Sequence, residues 1–185
     1  MQFDGHAFIL TVIESLLKHG SVAGKTHIQK ALSLLSDSKC VQVPFSFVLY
    51  KHGPYSFDVE EALEQMQSYG AISVEPSMSG YGVALRPSNM ASFVRTTAPL
   101  SEQQRNAIEK VCVFVGPRNV KDLERLATAL WIRSHLGIQD RERVAKQLHS
   151  LKPHIPISTA EQADEEVTGW LNSIGARLET SPAAE

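Results

Sequence analysis

Apolar positions recur at helical spacing along most of the chain. Phe8, Ile9, Val12, Ile13, Leu16 and Leu17 form one stripe, closed by His19-Gly20, and predict a first helix. Thr26-His27-Ile28-Gln29 has the form of a capping box, after which Ile28, Ala31, Leu32 and Leu35 trace the apolar face of a short second helix up to Asp37. Phe45 to Tyr50 is short and rich in aromatic and β-branched residues, which predicts a brief strand ending in a Gly53-Pro54 turn. Ser56 is placed to cap a third helix with Val59, Ala62, Leu63, Met66 and Tyr69 inward and Gly70 as its stop.

Two β-rich runs follow, Ala71 to Glu75 and Tyr81 to Arg86, separated by a polar tip from Pro76 to Gly80, and these predict a hairpin. Helix, helix, short strand, helix, hairpin is the order of a winged helix-turn-helix. Residues 88–99, rich in Ser, Thr and Asn and ending at Pro99, read as a connector. Beyond it the pattern is helical throughout. Ser101-x-x-Gln104 caps a helix carrying Ile108, Val111, Cys112 and Val115. Asn119 starts a longer one with Leu123, Leu126, Ala127, Leu130 and Trp131 on one face, and Val144, Leu148 and Leu151 form a short one stopped by Pro153. Ser158-Thr159-Ala160-Glu161 opens a last helix with Ala163, Val167, Trp170, Leu171 and Ile174 inward. The expected class is mainly α with a small β-hairpin: a winged-helix-like domain over residues 1–90, a helical extension packed on it over 91–175, and a frayed tail from 176 to 185.

Composition narrows the function without naming it. The 185 residues are 43% hydrophobic with a formal charge of −2, enough for a core without disulfides or metal and outside the disordered and collagenous classes. Cys40 and Cys112 are far apart and belong to no CxxC pair, so a reducing, cytoplasmic setting is expected. No segment reaches the roughly 20 apolar residues of a membrane span, and no leader-like pattern opens the chain.

Familiar catalytic patterns are missing or incomplete. Gly24-Lys25-Thr26 imitates the end of a phosphate loop, but only three residues separate it from Gly20 and the preceding element is a helix, where the loop needs four residues and a strand. The seven histidines make no HExxH and no i, i+4 pair, and there is no Gly-x-Ser-x-Gly elbow. The expectation is a protein that is not an enzyme, with no cofactor and no metal.

The densest motif runs from Lys25 to Glu75: Lys25-Thr26-His27-Ile28-Gln29-Lys30, then the aromatic run to Tyr50, then Lys51-His52-Gly53-Pro54-Tyr55-Ser56, and Gly70-Ala71-Ile72 after the third helix. Over roughly residues 5–87 this resembles the YwgA-like bacterial proteins and, more distantly, the Panacea domain of SocA-type antitoxins. It departs from their pattern at Tyr69, where they carry Leu before the glycine; Lys152-Pro153-His154 extends a weaker similarity. The resemblance implies a winged-helix fold with a helical extension and a small regulatory, antitoxin-like protein whose partner is another protein, such as a cognate toxin. It carries over no catalytic residue.

The residues themselves suggest where a partner would sit. Lys25, Lys30, Lys51, His52 and Tyr55 cluster around the second-helix start and the turn, while Asp58, Glu60, Glu61 and Glu64 line the third helix, making Asp58 and Glu61 further candidates. Those carboxylates occupy the helix that would enter the major groove of DNA, where they oppose the counterion release on which such binding depends. DNA binding is the alternative reading, through a basic patch of Arg118, Lys121 and Arg125 in the locally positive stretch 118–152, against a background in which alternating charges more often mark a solvated face. The C-terminal stripe with Trp131 or Trp170 is a candidate homodimer seam, with packing inside the chain as its rival.

Overall fold

A computed structural model describes residues 3–76 and 82–176. The described residues form eight helices and two antiparallel hairpins, in the order α1 (Phe3–Lys18), α2 (Lys25–Asp37), β1 (Val48–Tyr50), β2 (Gly53–Tyr55), α3 (Phe57–Ser68), β3 (Ile72–Pro76), β4 (Val83–Pro87), α4 (Ala91–Thr97), α5 (Glu102–Val115), α6 (Val120–His135), α7 (Arg141–Leu151) and α8 (Ile157–Ile174). The expected polar tip of the second hairpin, apart from Pro76, and all but the first residue of the expected tail lie outside the described residues.

One buried cluster runs through both halves of the chain. α1 packs against α2, α3, α4 and α5; α2 packs against α5, α6 and β2; α7 and α8 close on α6. The periodic residues do the burying: Ile9, Ile13 and Leu16 of α1, Ile28, Leu32 and Leu35 of α2, Leu123, Ala127 and Leu130 of α6 are all inside. Burial of each such aliphatic side chain contributes about 1.5–3 kcal/mol before conformational entropy is charged against it. Cys112 belongs to this core, and burial pushes its thiol up to about 12, so it stays protonated and inert at neutral pH. Trp170 is spent inside the chain as well, stacked on Phe114 with ring centroids 4.9 Å apart, while Trp131, half-buried, stacks on His135.

Caps and turns show where local pattern and tertiary packing part. Ser56 caps α3 by accepting from the Val59 amide at 3.3 Å, the Ser101–Gln104 capping box is complete, and the Asn119 side chain caps α6. The expected Thr26–Gln29 box does not form. Gly24 is the N-cap of α2 and makes no side-chain cap; Gln29 is turned inward to another task. The expected Ser158 box also fails, because the rigid φ of −61° at Pro156 starts α8 earlier, at Ile157. Residues expected as a connector contain α4, whose Ala91 and Val94 pack inward; two small buried positions in one short helix leave little periodic signal.

The first hairpin also differs from expectation. Gly53-Pro54 is not the turn but part of β2: Val48 pairs with Tyr55, Leu49 with Pro54 and Tyr50 with Gly53, leaving Lys51-His52 as a two-residue tip. Gly53 is required there. Its φ is +87°, and a Cβ would lie 3.0 Å from Thr128 Oγ1 and 3.4 Å from the Glu124 carbonyl, so only glycine lets β2 lie this close to α6.

Candidate functional site

Two features converge on the first hairpin, an exposed aromatic cluster and a cleft at the Lys51-His52 tip. Tyr50, Tyr55 and Phe57 form the first, with ring centroids 5.2 to 5.9 Å apart. Tyr50 is 56% and Phe57 61% exposed, and Val48 beside them is also exposed. Pairing across β1 and β2 brings Tyr50 and Tyr55 together, and Ser56 places Phe57 at the first position of α3. Large aromatic side chains grouped in water mark contact surfaces far more than they serve stability.

Carboxylates border this cluster. Glu64, exposed on α3, acts on Tyr55, while Asp58 and Glu61, also exposed, line a shallow pocket with His6, Pro44 and Phe45, and Asp58 accepts from the Ser46 amide. Glu60 is partly covered, held by the Lys25 ammonium and accepting from the Tyr55 hydroxyl at 3.3 Å; burial and the neighbouring Glu60 charge together push the Tyr55 hydroxyl above its ordinary pKa. Two sequence candidates, Lys25 and Tyr55, therefore meet through Glu60, which fixes the Tyr55 ring in the cluster.

Lys30 is a correction. Expected on the surface, it is 3% exposed, and its ammonium donates to the Pro54 carbonyl at 2.7 Å. An aliphatic stem of four carbons lets it sit in the α2 face and still reach a carbonyl of β2. Burial lowers its pKa to about 8, against the raising effect of Glu124 and with Lys152 lowering it further. Lys152, also buried, donates to the carbonyls of Tyr50 (2.9 Å) and Lys51, and lies 3.7 Å from Glu124 Oε1. Two lysines from opposite ends of the chain thus pin the hairpin on either strand, and a single buried carboxylate, Glu124, stands between them.

The cleft opens beside this pin. Its volume is about 870 Å³, between the Lys51-His52 tip, the first turns of α6 and the turn joining α7 to α8. Lys51 and His52 are brought together here with Lys121 and Arg125, so residues the sequence suggested for two separate surfaces share one cavity. His154 enters from the α7–α8 turn, 3.5 Å from Glu124 Oε2, and that turn is fixed by the His149 ring on the Ile155 carbonyl at 2.7 Å. Lys152 and His154 belong to the Lys-Pro-His tripeptide visible in the sequence; Glu124, on the buried side of α6, gave no sequence signal.

The basic patch does not survive as a patch. Arg118 and Arg125 both donate to Glu166, at 2.6 and 2.8 Å, Arg125 also holds Asp122, and Arg118 lies over the Phe114 ring. Burial pushes the Glu166 carboxyl upward, but the hydrogen bonds from Arg125 and Arg118 outweigh it and hold the group below its usual range. Lys121 is exposed and has no ion-pair partner among the described residues.

Among the described residues no three His, Cys, Asp or Glu side chains gather as a metal ion requires, and no helix is long and apolar enough to cross a membrane. The class defined by fold and site is a mainly helical protein with two small hairpins, one of which carries an exposed aromatic cluster. Comparison with family models, curated proteins and solved structures finds no match to the chain.

Proposed function

We propose that the protein is a non-catalytic, antitoxin-like regulatory module on a winged-helix scaffold, binding a protein partner through the Tyr50, Tyr55, Phe57 cluster and the α3 carboxylates. The observation that supports it is the exposed aromatic trio with Glu60 and Glu64 beside Tyr55, on a helix that also exposes Asp58 and Glu61. Its chemistry matches a partner segment with an apolar stripe flanked by Lys or Arg: the rings supply desolvated anchors, and the carboxylates steer approach and fix register. α1, α2, α3 and the β3–β4 hairpin stand in the chain order of a winged helix, and the acidic α3 points that scaffold toward a basic protein surface and away from DNA. The antitoxin-like role rests on the motif resemblance.

The test compares partners recovered from the native cell by the full chain and by its Tyr50→Ser/Phe57→Ser variant. A stoichiometric basic partner that is retained by the first, lost with the second, and released by raised salt supports the reading. A partner bound equally by both chains, or binding unchanged by Glu64→Lys, removes this face from consideration.

A further inference from the structure

The charge around the cleft is out of balance. Lys30 and Lys152 are both buried behind it, and Glu124, itself only 8% exposed, is the one carboxylate between them. At the mouth, Lys51 and Lys121 have no ion-pair partner among the described residues, while the nearby Asp122 is occupied by Arg125 and by the Asn119 side chain. Uncompensated cations lining a concave surface focus their field on an anion more strongly than the same charges on a flat one. Glu124 Oε1 is buried beside the Lys152 ammonium, while Oε2, 3.5 Å from the exposed His154 ring, has no hydrogen-bond donor among the described residues and is the acceptor that the cleft wall offers. Val120, Ile155 and Pro156 add an apolar wall, and the volume suits one small organic molecule.

The geometry points to a binding site for a small phosphorylated sugar or nucleotide, its phosphate between Lys51 and Lys121, its sugar body against Val120 and Ile155, and a hydroxyl directed at Glu124. None of the aromatic trio lines this cleft, and the site does not depend on the protein-partner reading. The cleft and that face share a backbone, because Lys152 grips the carbonyls of Tyr50 and Lys51.

Calorimetric titration of the full chain at low salt with ribose 5-phosphate, ribose and inorganic phosphate tests it. Ribose 5-phosphate is expected to bind one per chain and about tenfold more tightly than inorganic phosphate, with no measurable heat from ribose. The Lys51→Gln/Lys121→Gln variant alters only exposed side chains, and is expected to weaken ribose 5-phosphate about tenfold with an unchanged melting temperature. Absence of ribose 5-phosphate binding, binding no tighter than inorganic phosphate, or an affinity untouched by the double substitution each overturns the assignment.

Discussion

Gln29 and Ser56 exchange two hydrogen bonds across 27 positions of sequence: the Gln29 side-chain amide donates to the Ser56 carbonyl at 2.8 Å, and its oxygen accepts from the Ser56 backbone amide at 3.0 Å. Both residues are buried. A side chain of α2 thereby serves as a strand partner for the residue that ends the hairpin and caps α3, so one glutamine sets the position of the aromatic cluster relative to the core.

Replacing Gln29 by Ala leaves a buried backbone donor and acceptor unpaired. A loss of about 2–4 kcal/mol is expected, from two desolvated groups at about 1–3 kcal/mol each with partial relaxation. Gln29→Glu sets a buried carboxylate against the Ser56 carbonyl and should be no more stable than Gln29→Ala at neutral pH, recovering only where the carboxyl is protonated and can donate. Urea denaturation of the three chains reads the order; equal stability of wild type and Gln29→Ala contradicts it.

Lys30 should leave an alkaline signature. Its folded pKa, about 8, lies below the value of 10.5 for an unfolded lysine. Between these the unfolded chain holds the extra proton, so stability rises with pH from about 8 to 10.5, by on the order of 3 kcal/mol from this residue. Cys112 acts oppositely, since its raised value lowers stability above pH 9. The difference between wild type and Lys30→Met isolates the lysine: the gap in melting temperature should move in favour of wild type as pH goes from 7 to 10.

Asp37 gives the mirror case at lower pH. Burial raises its carboxyl to about 7, in spite of lowering contributions from the Ser134 hydroxyl and Lys39. His135 lies 3.5 Å away, but burial lowers its pKa, so it gives the carboxylate little compensating charge near neutrality. The folded state holds the proton longer than the unfolded one, and the contribution present below about pH 4 is lost as pH rises toward 7. Asp37→Asn should be close to wild type at pH 4 and more stable than it at pH 8. Identical pH profiles for the two chains would count against the raised value.

Glu166 decides whether α6 presents a basic surface. With it, Arg118 and Arg125 are held in ion pairs; Glu166→Gln removes the shared anion, leaving Arg118 without a carboxylate and Arg125 with Asp122 alone. Wild type should not shift duplex DNA in a gel at low salt, whereas Glu166→Gln should bind weakly, without sequence preference, and lose binding steeply as salt rises. Binding by wild type that weakens on Arg118→Gln would instead favour the DNA reading.

Much of this molecule was legible from periodicity alone. Period-3.6 stripes marked seven of the eight helices, because a helix in a packed protein must bury one face, and that demand is written residue by residue. Caps of local character were also legible: Ser56, Ser101 and Asn119 sit one turn from the amides they hold. Thr26 and Ser158 carry the same signature and do not cap, since a competing partner for Gln29 and a proline at 156 override it. α4 was hidden because a helix with two small buried residues makes no stripe.

The sequence by itself determined the helical class, the strands of the second hairpin, the acidic face of α3 and the cluster of motif residues around Gly53-Pro54. Tertiary structure decided what those residues do. Lys30 reads as a surface cation until α2 packs on β2 and its ammonium reaches the Pro54 carbonyl; Arg118 and Arg125 read as a patch until α8 brings Glu166 between them. Lys51-His52 and Lys121 belong to one cleft only because β2 lies on α6 at Gly53. Charge and hydrogen-bond donors act through space at a few ångströms, while sequence spacing records proximity only within a turn of helix or a pair of strands.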